Sequence, residues 1–472
     1  MQTTRATSLD EIYLTLKPKP LETQEEIDAF YIETLNKVRG GDKIGRLKLG
    51  LERAYKQRIF FKGCLMGHPG VGKSTELTRL IKEVENQFSV IRFSVITNLD
   101  PSNFNPLDVL LLMMVEVTEN TKMAFEKGEA RKKPSEKILQ EIWDWFSTEK
   151  KIRISTGESA IAVNAGAGVK EDSLWNKVLG LFASLRGDFK YAYTQKKEII
   201  EYRLARTNDL IDMANRLLDE CNQSLREANN GNNGRDWLFI GEDFDKAGIT
   251  ARSLTSLFIE KANIFSELKT HLIFNLPISI YTDSNAGQLP FSHENRLMIP
   301  DMPVFKENYE PNDKGRGAIR EVLMARVDPD LFEQNAMERI IVASGGNLRD
   351  LFSMTNYAAD TAILRKSDNS KINDEDVTIA IANMRTEYER SLGANAYDKE
   401  IVYEDKAKLM KRIYDGEKEA YIPNQVLYTL LNCRAVQEFD GWFSIHPLVV
   451  DLLNAQGRIP GTSQGGIPGG TS

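Results

Sequence analysis

Apolar positions along this chain fall into two rhythms, and the rhythm changes mark its parts. At 25–38 and 43–57 apolar residues recur at helical spacing (Ile27, Phe30 and Leu35, then Leu47, Leu51 and Ala54), which predicts two helices. An apolar run at 59–66 predicts a strand that meets a glycine-rich loop, with a helix expected over 75–88 and a second strand over 89–96. Helices are expected over 107–125 and 134–146, and the alternating, Gly- and Ala-rich stretch 152–169 predicts a β-hairpin. Two helical stretches, 174–185 and 196–228, lead through a flexible loop at 229–235 to a buried-type strand at 237–240, and another strand begins at 272–274.

Strands alternating with helices imply a parallel sheet covered on both faces. From 313 to 392 the pattern is wholly helical. Helical stretches at 404–414 and 424–431 then precede two short apolar runs around Asp440-Gly441, a strong hairpin turn. The expected division is a lead-in (1–24, its first twenty residues extended), an α/β core (25–312) with an insert at about 140–233, an all-α lid (313–395), a small mixed unit (396–455) and a disordered Gly/Pro/Ser/Thr tail (456–472).

Composition adds exclusions. The chain has 472 residues, enough for two or three domains, with 41% hydrophobic and 27% charged residues, as in ordinary globular proteins. A net charge of -7 gives no global field towards nucleic acid or membrane. Cys64, Cys221 and Cys433 are far apart and form no CxxC pair, which argues against a zinc site or a disulfide framework. With no leader-type start and no run of apolar residues long enough to span a bilayer, the expectation is a cytoplasmic protein without membrane partners.

The candidate chemistry begins at Gly67-His68-Pro69-Gly70-Val71-Gly72-Lys73-Ser74, followed by Thr75, a full match to GxxxxGK[ST] between a strand and a helix. Glycines let backbone N–H groups close around phosphates, Lys73 brings a flexible charge to the β/γ oxygens, and the Ser74 hydroxyl is suited to Mg²⁺. The following helix points its positive end at the same anion. ATP with Mg²⁺ is the expected ligand. A glycine-rich turn without function is the competing reading, and the strand–loop–helix setting disfavours it.

Such a loop needs carboxylates at a neighbouring strand end. The apolar strand Trp237-Leu238-Phe239-Ile240 ends in Gly241-Glu242-Asp243-Phe244-Asp245. Register gives Glu242 the metal position and Asp243 the water-activating one, although the two roles are exchangeable on sequence alone. Asp245 reads as a structural acid.

These residues resemble the AAA+ and STAND branch of P-loop ATPases, especially the archaeal-initiator-like ones. The resemblance rests on Gly67 to Leu77, on Phe239 to Asp245, and on Ser344-Gly345-Gly346-Asn347-Leu348-Arg349-Asp350-Leu351. It implies a three-layer P-loop NTPase core, a helical lid and a winged helix. It also implies that Arg349 senses the γ-phosphate, that Asn275 is the polar residue ending the strand after the acidic one, and that Arg296, Arg316 or Arg320 serves as a finger for a neighbouring subunit. Residues 31–42 fall where the family contacts adenine. Glu242 stands where the family has Asp, and the insert at 140–233 exceeds a minimal core.

The presumed winged helix is not basic. Lys399, Lys406, Lys408, Lys411, Arg412, Lys418 and Arg434 face nine acidic residues between 399 and 451, and 423–431 carries no Lys or Arg. Phosphate contacts dominate DNA affinity, so this charge favours a protein partner or self-association over DNA. The basic stretches 131–133 and 150–153 keep DNA in view, and short charged runs are mostly solvated faces. The leading expectation is therefore a nucleotide-switched ATPase, of the kind found in bacterial defence systems. A DNA-acting ATPase is the alternative, and an ATP-binding scaffold with little turnover the third reading.

Overall fold

The structure, a computed structural model, describes residues 3–101, 104–155, 173–191, 207–228, 234–246, 249, 251–283, 285–365, 371–393 and 401–460. Its centre is a five-stranded parallel sheet of β1 (Lys62–Met66), β2 (Phe88–Ser94), β3 (Asp236–Glu242), β4 (His271–Leu276) and β5 (Arg296–Met298) in the order β2-β3-β4-β1-β5. Every pairing is parallel, as with Leu65 opposite Asn275 and Ser94 opposite Glu242. β3 and β4 are buried along their whole lengths, as befits central strands covered on both faces.

One face is covered by the helices Lys43–Gln57 and Lys73–Val84, whose Leu47, Leu51, Leu77 and Leu80 pack on Leu65, Leu238 and Ile240. The other face carries Pro106–Glu126 and Thr207–Ala228, part of the large core that includes Phe239 and Phe274. The first of these helices starts cleanly: Asn105 and Asp108 form a reciprocal capping box, with Pro106 at the first position. This is the α/β three-layer P-loop NTPase fold, and a helical region follows it.

That region comprises helices Asp313–Met324, Ala336–Ala343, Leu348–Leu364 and Asp374–Leu392. The turn between the second and third bends sharply at Gly346 (φ 81°), where a Cβ would sit 1.8 Å from the carbonyl oxygen of Met302, so only glycine fits. Helices Tyr403–Tyr414 and Gln425–Asn432, the antiparallel hairpin β6 (Val436–Glu438) and β7 (Phe443–Ile445), and helix Pro447–Ala455 complete the chain's described part.

Several expectations need correction. The lead-in is not an extended arm. Ala6 bridges Val327, Leu9–Thr15 is helical, and the backbone N–H of Leu21 donates to Thr75 Oγ1 at 3.1 Å, so the segment ties the lid to the helix after the loop. Residues 152–155 continue the helix Glu136–Ser155 rather than opening a hairpin, and the rest of that stretch lies outside the described residues. Ile96 belongs to a short helix, because Ser94 ends β2 by capping Val95–Asn98. The tail begins later than expected, since Ile459 is buried and Arg458 pairs with Glu404, while 461–472 lie outside the described residues. Among the described residues no helix is long and apolar enough to cross a membrane.

Candidate functional site

In a parallel sheet all strand ends of one polarity share an edge, and ligands gather there. Here the carboxyl ends of β1, β3 and β4 converge on one cleft with an empty volume of about 1040 Å³. The cleft is lined by Pro69 to Glu76, by Asp243, Asp245 and Asn275, and on the lid side by Leu348, Arg349 and Phe352. Local sequence placed the first group, and only the tertiary fold brings the lid residues to it.

The loop leaves β1 and enters the helix Lys73–Val84. Its carbonyl groups are taken up from three sides. Lys73 Nζ donates to Gly67 O (2.7 Å) and His68 O (3.0 Å), Asn347 Nδ2 to Pro69 O (3.0 Å), and Arg39 Nη1 to Val71 O (2.9 Å). Gly70 has φ 94°, and a Cβ there would lie 2.4 Å from Asn347 Oδ1, so the glycine allows the lid turn to rest against the loop. Arg39 is itself fixed by Glu76 at 2.7 Å, on the helix behind the loop. His68 contacts Asp301 through Nδ1, both side chains being buried; burial raises the Asp301 carboxyl, but His68 outweighs it and holds it below the usual range.

At the acidic strand end the Asp245 carboxylate is the one paired with Lys73, at 2.7 Å. Burial pushes its pKa up, but the Lys73 ammonium wins and holds it low. Glu242 is bound by Arg92 at 2.6 Å and accepts from the Ser74 hydroxyl; burial nevertheless raises it above the ordinary carboxylate range. Asp243 sits in left-handed backbone (φ 68°), a conformation Asp tolerates, and accepts from Ser94 Oγ at 2.5 Å.

Asn275 is 3% exposed, lines the cleft, and its Oδ1 has no hydrogen-bond partner among the described residues. Arg349 lines the same cleft at the start of Leu348–Leu364 and has no ion-pair partner among the described residues. Arg296, Arg316 and Arg320 are each engaged within the chain, by carbonyls of the 286–291 segment, by Val304 O and Glu338, and by Glu338.

The residues present fit a nucleotide with Mg²⁺. The orphaned Asn275 Oδ1 faces the cleft, the loop closes around Lys73, and Ser74 with Glu242 offers one hydroxyl and one carboxylate. That donor set suits an ion that keeps waters and phosphate oxygens in its shell. Among the described residues no cluster of three or more His, Cys, Asp or Glu side chains is able to hold a metal alone. Arg39, Tyr31 and Glu76 were not legible as site residues, because their mutual contacts span 37 to 45 positions.

No family model and no curated protein matches the chain. Among solved structures, it is similar to a Walker-type ATPase of Pyrococcus abyssi (12% identity, 93% of this chain and 99% of that one, TM-score 0.44). It is also similar to the Aeropyrum pernix Orc1 protein in complex with DNA (11% identity, 96% and 97%, TM-score 0.37) and to Cdc6p from Pyrobaculum aerophilum (11%, 94% and 96%, TM-score 0.38). The fold is defined here by the chain's own sheet order and loop, and these likenesses add nothing to the chemistry of the cleft.

Proposed function

We propose that the chain is an Mg²⁺-dependent ATPase of the AAA+ kind that couples nucleotide state to the position of its C-terminal unit, a winged helix. The observation that carries this is the convergence of Lys73, Ser74, Asp243, Asn275 and Arg349 on the strand-end cleft, with Glu242 beside Ser74 and Asn347 of the lid hydrogen-bonded to the loop itself. When bound, ATP supplies the γ-phosphoryl group to be transferred to water, and Mg²⁺ offsets its charge. Lys73 carries the positive charge for the β/γ oxygens, in competition with Asp245. Ser74 and Glu242 would hold the metal, and Asp243 would orient the attacking water from a carboxylate that accepts from Ser94. Asn275 positions the same water or oxygen, and Arg349 brings its cation from the lid.

Titration of Mg·ATP into the full chain tests this. Lys73→Ala abolishes binding, whereas Asp243→Asn binds but loses turnover. Tight ATP binding by Lys73→Ala overturns the reading, and unchanged turnover in Asp243→Asn removes that residue from its role.

For the output, a DNA-acting role stands ahead of a defence switch. Arg131 and Lys133 are exposed basic residues on the described surface, whereas no described residue speaks for defence. The C-terminal unit favours protein instead: it is acidic in balance, and its helix Gln425–Asn432 packs against the core helix Ile278–Tyr281. Duplex DNA that raises turnover several-fold, with loss on Arg131→Glu and Lys133→Glu, supports the first. No shift of DNA at low salt leaves the protein-binding output.

A further inference from the structure

Among the buried cations that line the cleft is one, Arg326, that phosphate chemistry does not use. Arg326 lies just beyond helix Asp313–Met324 and lines the same cleft as Leu21, Ile32 and Phe352. It is 6% exposed, with its guanidinium 4.7 Å from the ring centre of Phe30 and 5.2 Å from that of Phe352. One N–H donates to Val322 O at 3.0 Å.

No carboxylate lies within ion-pair distance of it among the described residues. The contrast with its peers is plain: buried Arg39 has Glu76 at 2.7 Å, and buried Arg339 has Asp374 at 3.2 Å. Burial, unopposed by any anion, lowers the Arg326 pKa to about 10. A desolvated charge without a counter-charge is costly to the fold, so such a group is expected where a ligand completes it.

Its place in the cleft narrows the ligand atom it meets. The phosphate end is fixed by Gly67 to Thr75, and Leu21 closes over Thr75. Arg326 contacts Val322 O, Phe30 and Phe352 rather than the loop, and shares its stretch of wall with the apolar Leu21 and Ile32, a lining suited to a base rather than to phosphates. A guanidinium has five N–H donors and no acceptor. Guanine presents O6 and N7 as adjacent acceptors, whereas adenine sets an amino donor beside N7.

We propose that Arg326 reads the acceptor edge of the nucleobase, so that this cleft takes guanine nucleotides as well as adenine nucleotides. The inference rests on the nucleotide-binding reading above and assigns its base specificity.

The test measures affinities of the full chain for Mg·GTP, Mg·ATP and Mg·tripolyphosphate, with wild type, Arg326→Met and Arg326→Lys. Arg326→Met should weaken GTP by roughly tenfold or more, the size of a lost two-bond base contact. ATP should weaken less, and tripolyphosphate should hold within about twofold. Arg326→Lys, a point charge without the fork, should fall between. Removing an unpaired buried charge should leave the ligand-free melting temperature at or above that of wild type, which checks folding. An unchanged GTP to ATP ratio overturns the proposal. Equal loss for all three probes does so too, because Arg326 then acts on phosphate or on the fold. If wild type binds none of the three, the nucleotide reading falls and takes this one with it.

Discussion

The phosphate loop and the joint between lid and C-terminal unit are both built of buried charge, but they are assembled in opposite ways. The loop is one contiguous segment, Gly67 to Thr75, whose own lysine binds two of its own carbonyls. The joint is centred on Asp350, which accepts from Tyr388 Oη at 2.6 Å and pairs with Arg434 at 2.7 Å. His446 stacks on Tyr388 with ring centres 4.3 Å apart and contacts Ser344 O, while Gln437 donates to Gly345 O at 3.0 Å. Chemistry that must act on a ligand is packed into a short motif. The contacts of the joint are spread over side chains from 344 to 446, and no one segment supplies them all.

That contrast is broken most severely at the loop. Lys73→Ala removes the lysine that binds the loop's own carbonyls and leaves Asp245 buried without that partner, so ATP affinity should drop by at least about a hundredfold. Isothermal titration checks it. At the joint, Asp350→Ala strands Arg434 and the Tyr388 hydroxyl together, and should cost about 3–5 kcal/mol of stability in urea unfolding. Nucleotide affinity should change far less than for Lys73→Ala, and a comparable loss would show that the two regions are one unit.

The same contrast explains what could be read from sequence. The parallel sheet was legible because β3 and β4 are continuous apolar runs, and the loop because glycines, lysine and serine sit at fixed spacing. The pairing of Asp245 was not legible because spacing alone does not say which of three nearby acids faces a lysine 172 positions away. The lead-in was misread because Pro18 and Pro20 signal extension, whereas Leu9–Thr15 is held by packing on the lid helix Leu348–Leu364. The joint was invisible for the same reason: Asp350, Tyr388 and His446 are ordinary residues until the fold stacks them.

A pH series sharpens the picture of the joint. Burial lowers His446 to about 4 from 6.5. The unfolded chain therefore binds the extra proton first, and stability falls as pH drops through that window, by about 3 kcal/mol in all. Glu438, beside the same joint, is raised by burial from 4.5 to about 7. Its contribution has the opposite sign, present below pH 4.5 and lost by about 3 kcal/mol as pH rises through 7. Urea unfolding from pH 4 to 8 should show His446→Asn flattening the acid side and Glu438→Gln the neutral side. Mutant curves parallel to wild type would mean that neither group is buried in the folded chain.

The smallest effect tests the bridge between the two regions. Asn347 does two things: its Oδ1 caps the helix at Arg349 N (3.1 Å), and its Nδ2 donates to Pro69 O (3.0 Å) in the loop. Asn347→Ala removes both and should cost about 1–2 kcal/mol. Asn347→Ser keeps a helix cap but is too short to reach Pro69, so it should leave stability within about 0.5 kcal/mol of wild type. Its consequence should appear in ATP affinity instead, a loss of a few-fold, because one neutral hydrogen bond is worth about 1 kcal/mol. If the serine variant binds ATP as wild type does, the lid turn merely rests on the loop, and His68 with Asp301, whose backbone N–H donates to Glu438 O at 3.0 Å, is left as a link from the loop to the C-terminal unit.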